Sequence, residues 1–271
     1  MSDADILGKP LCTLAFCWRL ERRDGVTIGL ASHDRDLEIG GLIYRAAPGM
    51  IPSAVRRGIG LEGEDSDVAG ALSSAAISEA DLMAGRWDGA ALELRLTEWE
   101  EPGALWRLLA AGEIGAVARK GAGFTAELIG AAAVLGAPVA PSTSPDCRAR
   151  LGDRACRVDM AARRRVVTVA SVADNVAAAS GLAAGDYAFG TLRWLGGPNA
   201  GLTQAVVDNG AGSVTLADAP AFAVAAGTLA LLTEGCDRQI GTCAGRFDNA
   251  VNFRGEPYLP GMDLLTRYPG A

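Results

Sequence analysis

The chain has 271 residues, of which 49% are hydrophobic and 21% charged, a composition typical of a folded globular protein with one large or two modest domains. Its formal net charge of −7 argues against a general affinity for nucleic acid, because phosphate binding needs an excess of Lys and Arg. The longest apolar run, which begins at Leu128, is interrupted by Gly and Pro and is shorter than the roughly 20 residues that span a bilayer, so no membrane insertion is expected.

The first clear pattern is the alternating stretch LCTLAFCWRL, which ends at Leu20. Cys12, Phe16 and Trp18 fall on one face at a period of two residues, and this periodicity predicts a half-buried strand. Cys12 then behaves as a small hydrophobic residue, and Cys17 lies on the opposite face. Neither cysteine is expected to bind a ligand.

Turn signals divide the next hundred residues into short strands. Asp24-Gly25 and Gly40-Gly41 predict hairpin turns, and Ser78 is placed to cap a short helix. The stretch ALELRLTEWE, from Ala91, again alternates between apolar and polar residues. The fold class predicted for residues 1–140 is therefore mainly β with small helices (α+β).

The single histidine offers no catalytic centre. His33 lies between Ser32 and Asp34, but neighbouring residues of an extended segment point to opposite faces, so a Ser-His-Asp arrangement fails on geometry. A cysteine nucleophile would also need His33 as its base. We expect an exposed hairpin residue and no enzyme.

A second group of strands is predicted between residues 163 and 233. Apolar runs beginning at Val166 and Thr228 enclose segments that are separated by Gly and Asn turns. Four or five strands, forming a small barrel or sandwich, would fit this region. The basic run Arg163-Arg164-Arg165 is interpreted as a solvated strand start.

Two cysteine pairs flank this second group of strands. Eight residues separate Cys147 from Cys156, and six separate Cys236 from Cys243. If the intervening strands return to their starting point, four sulfurs meet, and four thiolates would repel one another without a cation. Structural zinc sites favour two to four residues between paired ligands, whereas iron–sulfur clusters accept looser loops. An iron–sulfur cluster, a zinc ion, and unliganded or redox-active thiols all remain open at this point.

The expected compartment bears on these thiols. The N-terminal stretch MSDADILGKP is acidic and lacks the basic and apolar regions of a secretory signal, so folding in the bacterial cytoplasm is expected. Thiols stay reduced there, which favours metal or redox chemistry over disulfides.

The segment after Cys243 carries a resemblance to a known family. The cysteine pairs followed by GRFDNAVNFRGEPYLPG resemble the C-terminal region of hub, or baseplate, proteins of gene transfer agents and tailed phages. They are also similar in pattern to lambda-type tail tip proteins, whose C-terminal domain carries a 4Fe–4S cluster. The resemblance implies a hub domain at residues 1–140, a cluster-binding region at 141–162 and 234–271, and an inserted β-domain at 163–233.

The same resemblance implies a ligand set and a role. Cys147, Cys156, Cys236 and Cys243 would bind the iron of a 4Fe–4S cluster. The protein would be a virion component and a homotrimer that joins the distal tail protein ring to a larger tail tip or receptor-binding protein, with a cell-wall peptidase as a further partner. DNA would pass through only in transit during ejection. An iron–sulfur electron-transfer protein and a zinc-stabilised binding module are the alternatives.

The terminal motif also has a physical interpretation. Phe247 and Phe253 could pack over the cluster and exclude water from the sulfurs. Asn249 and Asn252 could fix turns or donate hydrogen bonds to sulfur. We expect Gly255, Pro257, Pro260 and Gly261 to form a rigid extended loop.

Overall fold

The computed structural model describes residues 3–11, 13–46, 51–52, 66–71, 77–120, 123–130 and 140–259. Cys12, Pro260 and Gly261, on which the sequence made predictions, lie outside these ranges. The chain divides into two compact units, Met1–Val139 (unit 1) and Ala140–Ala271 (unit 2). Both are rich in β-strands and carry short helices, which confirms the predicted fold class.

Unit 1 is built around one sheet. Within the described residues the sheet has nine strands in the order β3-β4-β2-β1-β7-β8-β9-β6-β5. The elements are α1 (Asp3–Leu7), β1 (Leu14–Glu21), β2 (Thr27–Ala31), β3 (Leu37–Ile39), β4 (Leu42–Arg45), β5 (Ile51–Pro52), β6 (Ser66–Ala71), α2 (Glu79–Met83), β7 (Ala91–Glu98), β8 (Trp106–Lys120) and β9 (Gly123–Ile129).

Strand β1 is buried on both faces. Trp18 and Leu20 belong to one core cluster, and Ala15 and Cys17 belong to a second one that also contains Tyr44. The alternating pattern predicted that the face of Trp18 and Leu20 is buried. It did not predict burial of the second face, because Ala15 and Cys17 are small. Complete burial raises the pKa of the Cys17 thiol to about 12, so this thiol is a packing group.

The local turn predictions are confirmed. Asp24-Gly25 connects β1 to β2, and Gly40-Gly41 connects β3 to β4. The Ser78 hydroxyl accepts a hydrogen bond from the Asp81 amide and caps α2.

His33 differs from its prediction as an exposed residue. Its ring stacks on Trp99 with centroids 4.8 Å apart, and only 16% of its side chain is exposed. Its Nδ1 atom accepts a hydrogen bond from the Arg35 amide. The aromatic contact buries a side chain that sequence alternation alone placed in solvent.

Unit 2 contains a closed barrel of six strands in the order β10-β11-β14-β13-β12-β15. The strands are β10 (Arg164–Ala173), β11 (Val176–Ala179), β12 (Thr191–Trp194), β13 (Thr203–Gly210), β14 (Ser213–Leu216) and β15 (Thr228–Thr233). Its interior is filled by Leu192, Trp194, Leu216 and Leu232. The predicted four or five strands were too few, because three of the six are only four residues long.

Three short helical segments precede or follow the barrel strands in the sequence. They are a 3-10 turn at Ala161–Arg163, helix α3 (Ile240–Gly245) and a second 3-10 turn at Ala250–Asn252. No helix in the described ranges combines the length and the apolar character needed to cross a bilayer.

Candidate metal centre

Barrel closure brings the two cysteine-bearing segments together. Strands β10 and β15 are antiparallel neighbours, and Arg164, the first residue of the barrel, is paired with Thr233, the last. The amide of Glu234 continues this ladder by donating to the Arg163 carbonyl at 3.0 Å. The chain therefore enters the barrel, after Cys156, and leaves it, before Cys236, at neighbouring positions.

Hydrogen bonds join the loop of Cys147 to the loop of Cys236. The Cys147 amide donates to the Arg238 carbonyl at 2.9 Å, and the Gln239 side-chain amide donates to Asp146 at 2.7 Å. Backbone and side-chain contacts thus fix the loop of Cys147 relative to the loop of Cys236.

The remaining two cysteines are joined through Asn249. Its side-chain nitrogen lies 2.6 Å from the Cys156 carbonyl oxygen and 3.6 Å from the Cys156 sulfur. Its own amide donates to the Cys243 carbonyl at 3.0 Å. Asn252 donates to Asn249 Oδ1 at 2.7 Å and thereby orients the amide group. The sequence-based prediction that these asparagines fix turns or donate to sulfur is confirmed for Asn249, whereas the Asn252 side chain supports Asn249 instead.

Backbone amides are directed at two of the sulfurs. The amide of Arg254 donates to Cys147 Sγ and that of Arg238 to Cys236 Sγ, both at 3.4 Å. Arg238 has a φ of 63°, and Arg157, which follows Cys156, has a φ of 64°. Non-glycine residues adopt this left-handed conformation at a cost of roughly 1–3 kcal/mol, and such residues cluster at functional sites.

The four thiols differ in exposure. Cys156 and Cys243 are 9% and 7% exposed, whereas Cys147 and Cys236 are half-buried. Burial raises the pKa of Cys243 and of Cys236, and the charges of the neighbouring thiols raise both further. This mutual repulsion is what a bound cation would relieve.

The residue types of the four candidate ligands fit a thiolate-bound cluster. All four cysteines are free thiols, and three of their sulfurs have an N–H donor, as the hydrogen bonds to cluster sulfurs require. Among the described residues, no group of three or more His, Cys, Asp or Glu side chains is arranged to hold a metal ion.

Asp153 shapes the turn that presents Cys156. Its carboxylate accepts hydrogen bonds from the amides of Arg150, Ala155 and Cys156 at 2.7–2.8 Å. These bonds, that from Cys156 first, lower the pKa of Asp153. The LGDRAC stretch contains an Asx turn that the sequence analysis did not identify, although Asp before a tight turn is a usable signal.

An ion pair holds the loop of Cys147 against the last described loop. Arg148 donates to both oxygens of Glu256 at 2.6 and 2.7 Å, and Glu256 also accepts from the Ser144 amide. The chain approaches closely here, since a Cβ atom at Gly255 would lie 2.6 Å from the Asp146 carbonyl oxygen. The predicted rigidity around Gly255 therefore has a steric origin that excludes larger residues.

A second cluster of charges connects the cysteine loops to the barrel. Glu234 pairs with Arg163 at 2.8 Å and with Arg246 at 2.7 Å, and both guanidinium groups lie over the ring of Phe247 at 4.7 and 5.0 Å. Phe247 is buried, as predicted, but its ring contacts are these cations. Arg163, interpreted from the sequence as part of a solvated strand start, is instead paired.

Two family models match parts of the chain. Residues 3–159 match the family described as baseplate hub protein, N-terminal attachment domain, and residues 185–263 match the family described as phage conserved hypothetical protein BR0599. The comparison with curated proteins gives no significant match.

A solved structure extends the similarity over the whole chain. It is a chain in the virion of a native gene transfer agent particle, with 35% sequence identity and a TM-score of 0.87. The match covers 100% of this chain and 96% of that chain. With more than half of the sequence matched by the first family as well, the chain belongs to the baseplate hub proteins that share this N-terminal attachment domain.

Proposed function

We propose that this chain is the baseplate hub subunit of a gene-transfer-agent particle and that Cys147, Cys156, Cys236 and Cys243 bind a 4Fe–4S cluster. Family membership and the full-length similarity to a gene-transfer-agent virion chain support the hub role. The observation that carries the cluster is the hydrogen bonding that joins the segments of two distant cysteine pairs, with N–H donors directed at three of the four sulfurs.

The role proposed for the cluster is structural. When bound, the group supplies iron–thiolate bonds that join the 147–156 segment to the 236–243 segment, as structural metal sites do. The chain itself prepares the site, because the Arg238 carbonyl and Asn249 already connect these segments. A redox- or iron-sensitive trigger during delivery is a second role for the same site.

Assembly at the tail is the second part of the proposal. In a homotrimer, the hub would connect the distal tail protein ring to a larger tip or receptor-binding protein, near a cell-wall peptidase, and DNA would pass through the ring. The net charge of −7 is compatible with DNA sliding through without binding. The pairing of Arg163 with Glu234 also removes one cation from the basic run at the start of β10.

Metal analysis tests the cluster. Protein purified without oxygen should contain about four iron and four sulfide ions per chain and should be brown. Cys236→Ser should abolish the visible absorbance, whereas Cys17→Ala, which removes a buried thiol from unit 1, should retain it. Zinc without inorganic sulfide would replace the cluster by a zinc-stabilised binding module.

Particles test the hub role and the function of the site. Electron microscopy of purified tails should locate this chain at the baseplate, with density between the four sulfurs that is larger than one metal ion. Cys236→Ser should lower thermal stability and gene-transfer activity together. Unchanged values of both would exclude the structural role. A reversible potential with a dedicated reductase partner would instead favour an electron carrier.

A further inference from the structure

Unit 2 contains an open cavity of about 660 Å³, and its lining includes one of the four thiols, Cys236. Barrel residues from β12, β13 and β15 line one part of it, and the loops after Ala149 and Cys236 line the other. Leu151, Met160 and Val207 give it an apolar lining. A cavity of this size accommodates one or two large side chains of another protein.

Phe189, beside this cavity, combines an unfavourable backbone conformation with high solvent exposure. It lines the cavity with 66% of its surface exposed and has a φ of 62°, in the left-handed region. A bulky residue there is an outlier in backbone conformation, and solvent exposure forgoes the packing that would offset it. The backbone behind it is closely packed, since a Cβ atom at Gly190 would lie 2.1 Å from the Thr233 carbonyl oxygen, and the Phe189 amide donates to the Val206 carbonyl at 2.9 Å. Such local strain is retained where the displayed side chain has a function.

The charged side chains at the cavity differ in whether they are already paired within the protein. The carboxylate of Glu234 is paired with two arginines, and that of Asp237 accepts from Thr242 Oγ1 at 2.6 Å and from the Gln239 amide. Arg150 and Arg238 are exposed, and their guanidinium groups form no hydrogen bond or ion pair within the part of the chain that the structure describes. The backbone amide of Arg150 donates to Asp153, whereas its guanidinium group acts on Asp153 only through its charge. In a protein of net charge −7, this surface therefore offers two available cations beside an exposed aromatic ring.

We propose that this cavity docks a segment of a different baseplate protein, in which an apolar side chain is flanked by Asp or Glu. The apolar group would pack against Phe189, Met160 and Val207, and the carboxylates would pair with Arg150 and Arg238. An exposed aromatic anchor beside arginine is the combination enriched at interface hot spots. The docked segment would also cover Cys236, which lines the cavity and is half-buried. This inference rests on the proposed hub function.

A photo-crosslinker in place of Phe189 tests the occupant in assembled particles. Particles that contain Phe189→p-benzoylphenylalanine are irradiated, and the cross-linked peptides are identified by mass spectrometry. We expect one peptide from another tail protein, with Asp or Glu within about three residues of the attachment point. A cross-link to a second copy of this chain, to a segment without acidic residues, or no cross-link at all would overturn the docking proposal. Absence of the unmodified chain from particles would overturn the hub function itself.

Charge and strain variants give an independent readout. Arg150→Glu with Arg238→Glu should lower the ratio of the cross-linked protein to hub in particles at least tenfold, whereas Arg193→Glu, an exposed arginine on β12, should not. Phe189→Gly should lower the same ratio while its melting temperature stays equal or rises, because glycine adopts the left-handed conformation freely. Leu195→Ala removes another exposed apolar side chain and is the matched control. Retention of the partner by both cavity variants would overturn the proposal.

Discussion

The side-chain nitrogen of Asn249 lies 2.6 Å from the carbonyl oxygen of Cys156, across a sequence separation of 93 residues. Its Oδ1 atom accepts a hydrogen bond from the Asn252 side chain, and its backbone amide donates to the Cys243 carbonyl. Through its side chain and its backbone amide, one buried residue therefore holds a cysteine of the first pair against a cysteine of the second. We expect the proposed ligand set to depend on this contact, whichever metal it binds.

Replacing Asn249 with Ala should weaken the cysteine site. The Cys156 carbonyl would lose a buried donor, and a loss of about 2 kcal/mol in the free energy of unfolding is expected for the metal-free protein. The metal-loaded protein should also release iron faster to a chelator. Denaturant unfolding and the decay of visible absorbance measure the two effects.

Asn252→Ala is the matched control, because it removes the contact to Asn249 Oδ1 and leaves the Asn249 side-chain nitrogen, which donates to Cys156, in place. Its effect should be less than half as large. Equal losses in the two variants would show that the contact to Cys156 has no special role.

The thiols of the metal-free protein should react in a defined order. Cys147 and Cys236 are half-buried, Cys156 and Cys243 are buried, and Cys17 is fully buried with a pKa of about 12. Because alkylation needs an accessible thiolate, brief iodoacetamide treatment at pH 8 should label Cys147 and Cys236 first and Cys17 last. Peptide mass spectrometry measures the order. Faster labelling of Cys243 than of Cys147 would contradict the described burial.

The sequence predicted the parts of this protein that depend on local pattern. Alternation located strands β1 and β7, and Asp24-Gly25, Gly40-Gly41 and Ser78 were correct as turns and a cap. Each of these signals is contained within a few residues, so one chain without relatives is sufficient. The strands of four residues in the barrel were harder to count, since such segments are too short for a clear period.

Contacts between distant segments could not be predicted in the same way. Glu234 and Glu256 read as ordinary surface acids, yet their partners Arg163 and Arg148 lie 71 and 108 positions away. Barrel closure, with Arg164 paired to Thr233, brings Arg163 and Glu234 together. The cysteine spacing suggested that four sulfurs meet, but it contained no information on the hydrogen bonds that hold their loops.

The Arg148–Glu256 pair should make the stability of unit 2 depend on pH. Hydrogen bonds from Arg148 and from the Ser144 amide lower the pKa of Glu256 to about 2. The folded pKa lies below the unfolded one, so this contribution is fully present above the unfolded pKa, about 4.5, and is lost as the pH falls toward 2. Thermal unfolding of the metal-free protein between pH 6 and pH 2 measures it.

Glu256→Gln should flatten that part of the pH profile, because the amide does not titrate. Asp218→Asn, which changes an exposed carboxylate after β14, should leave the profile as in the natural sequence. A profile that Glu256→Gln leaves unchanged would mean that other carboxylates determine the acid sensitivity.

Glu234→Ala should separate the cysteine loops from the barrel. It removes the common partner of Arg163 and Arg246 and leaves two cations facing each other over Phe247, so a loss of about 2 kcal/mol in the free energy of unfolding is expected. Glu21→Ala breaks a pair with Arg19 in which both side chains are more than 40% exposed, and it should cost less than about 1 kcal/mol. Denaturant unfolding compares the two variants, and iron retention gives a second measurement.

Because Glu234 precedes Cys236 by two residues, its loss should also accelerate iron release, whereas the loss of Glu21 should not. Similar iron release from both variants would show that the barrel does not hold the cysteine loops through this cluster of charges.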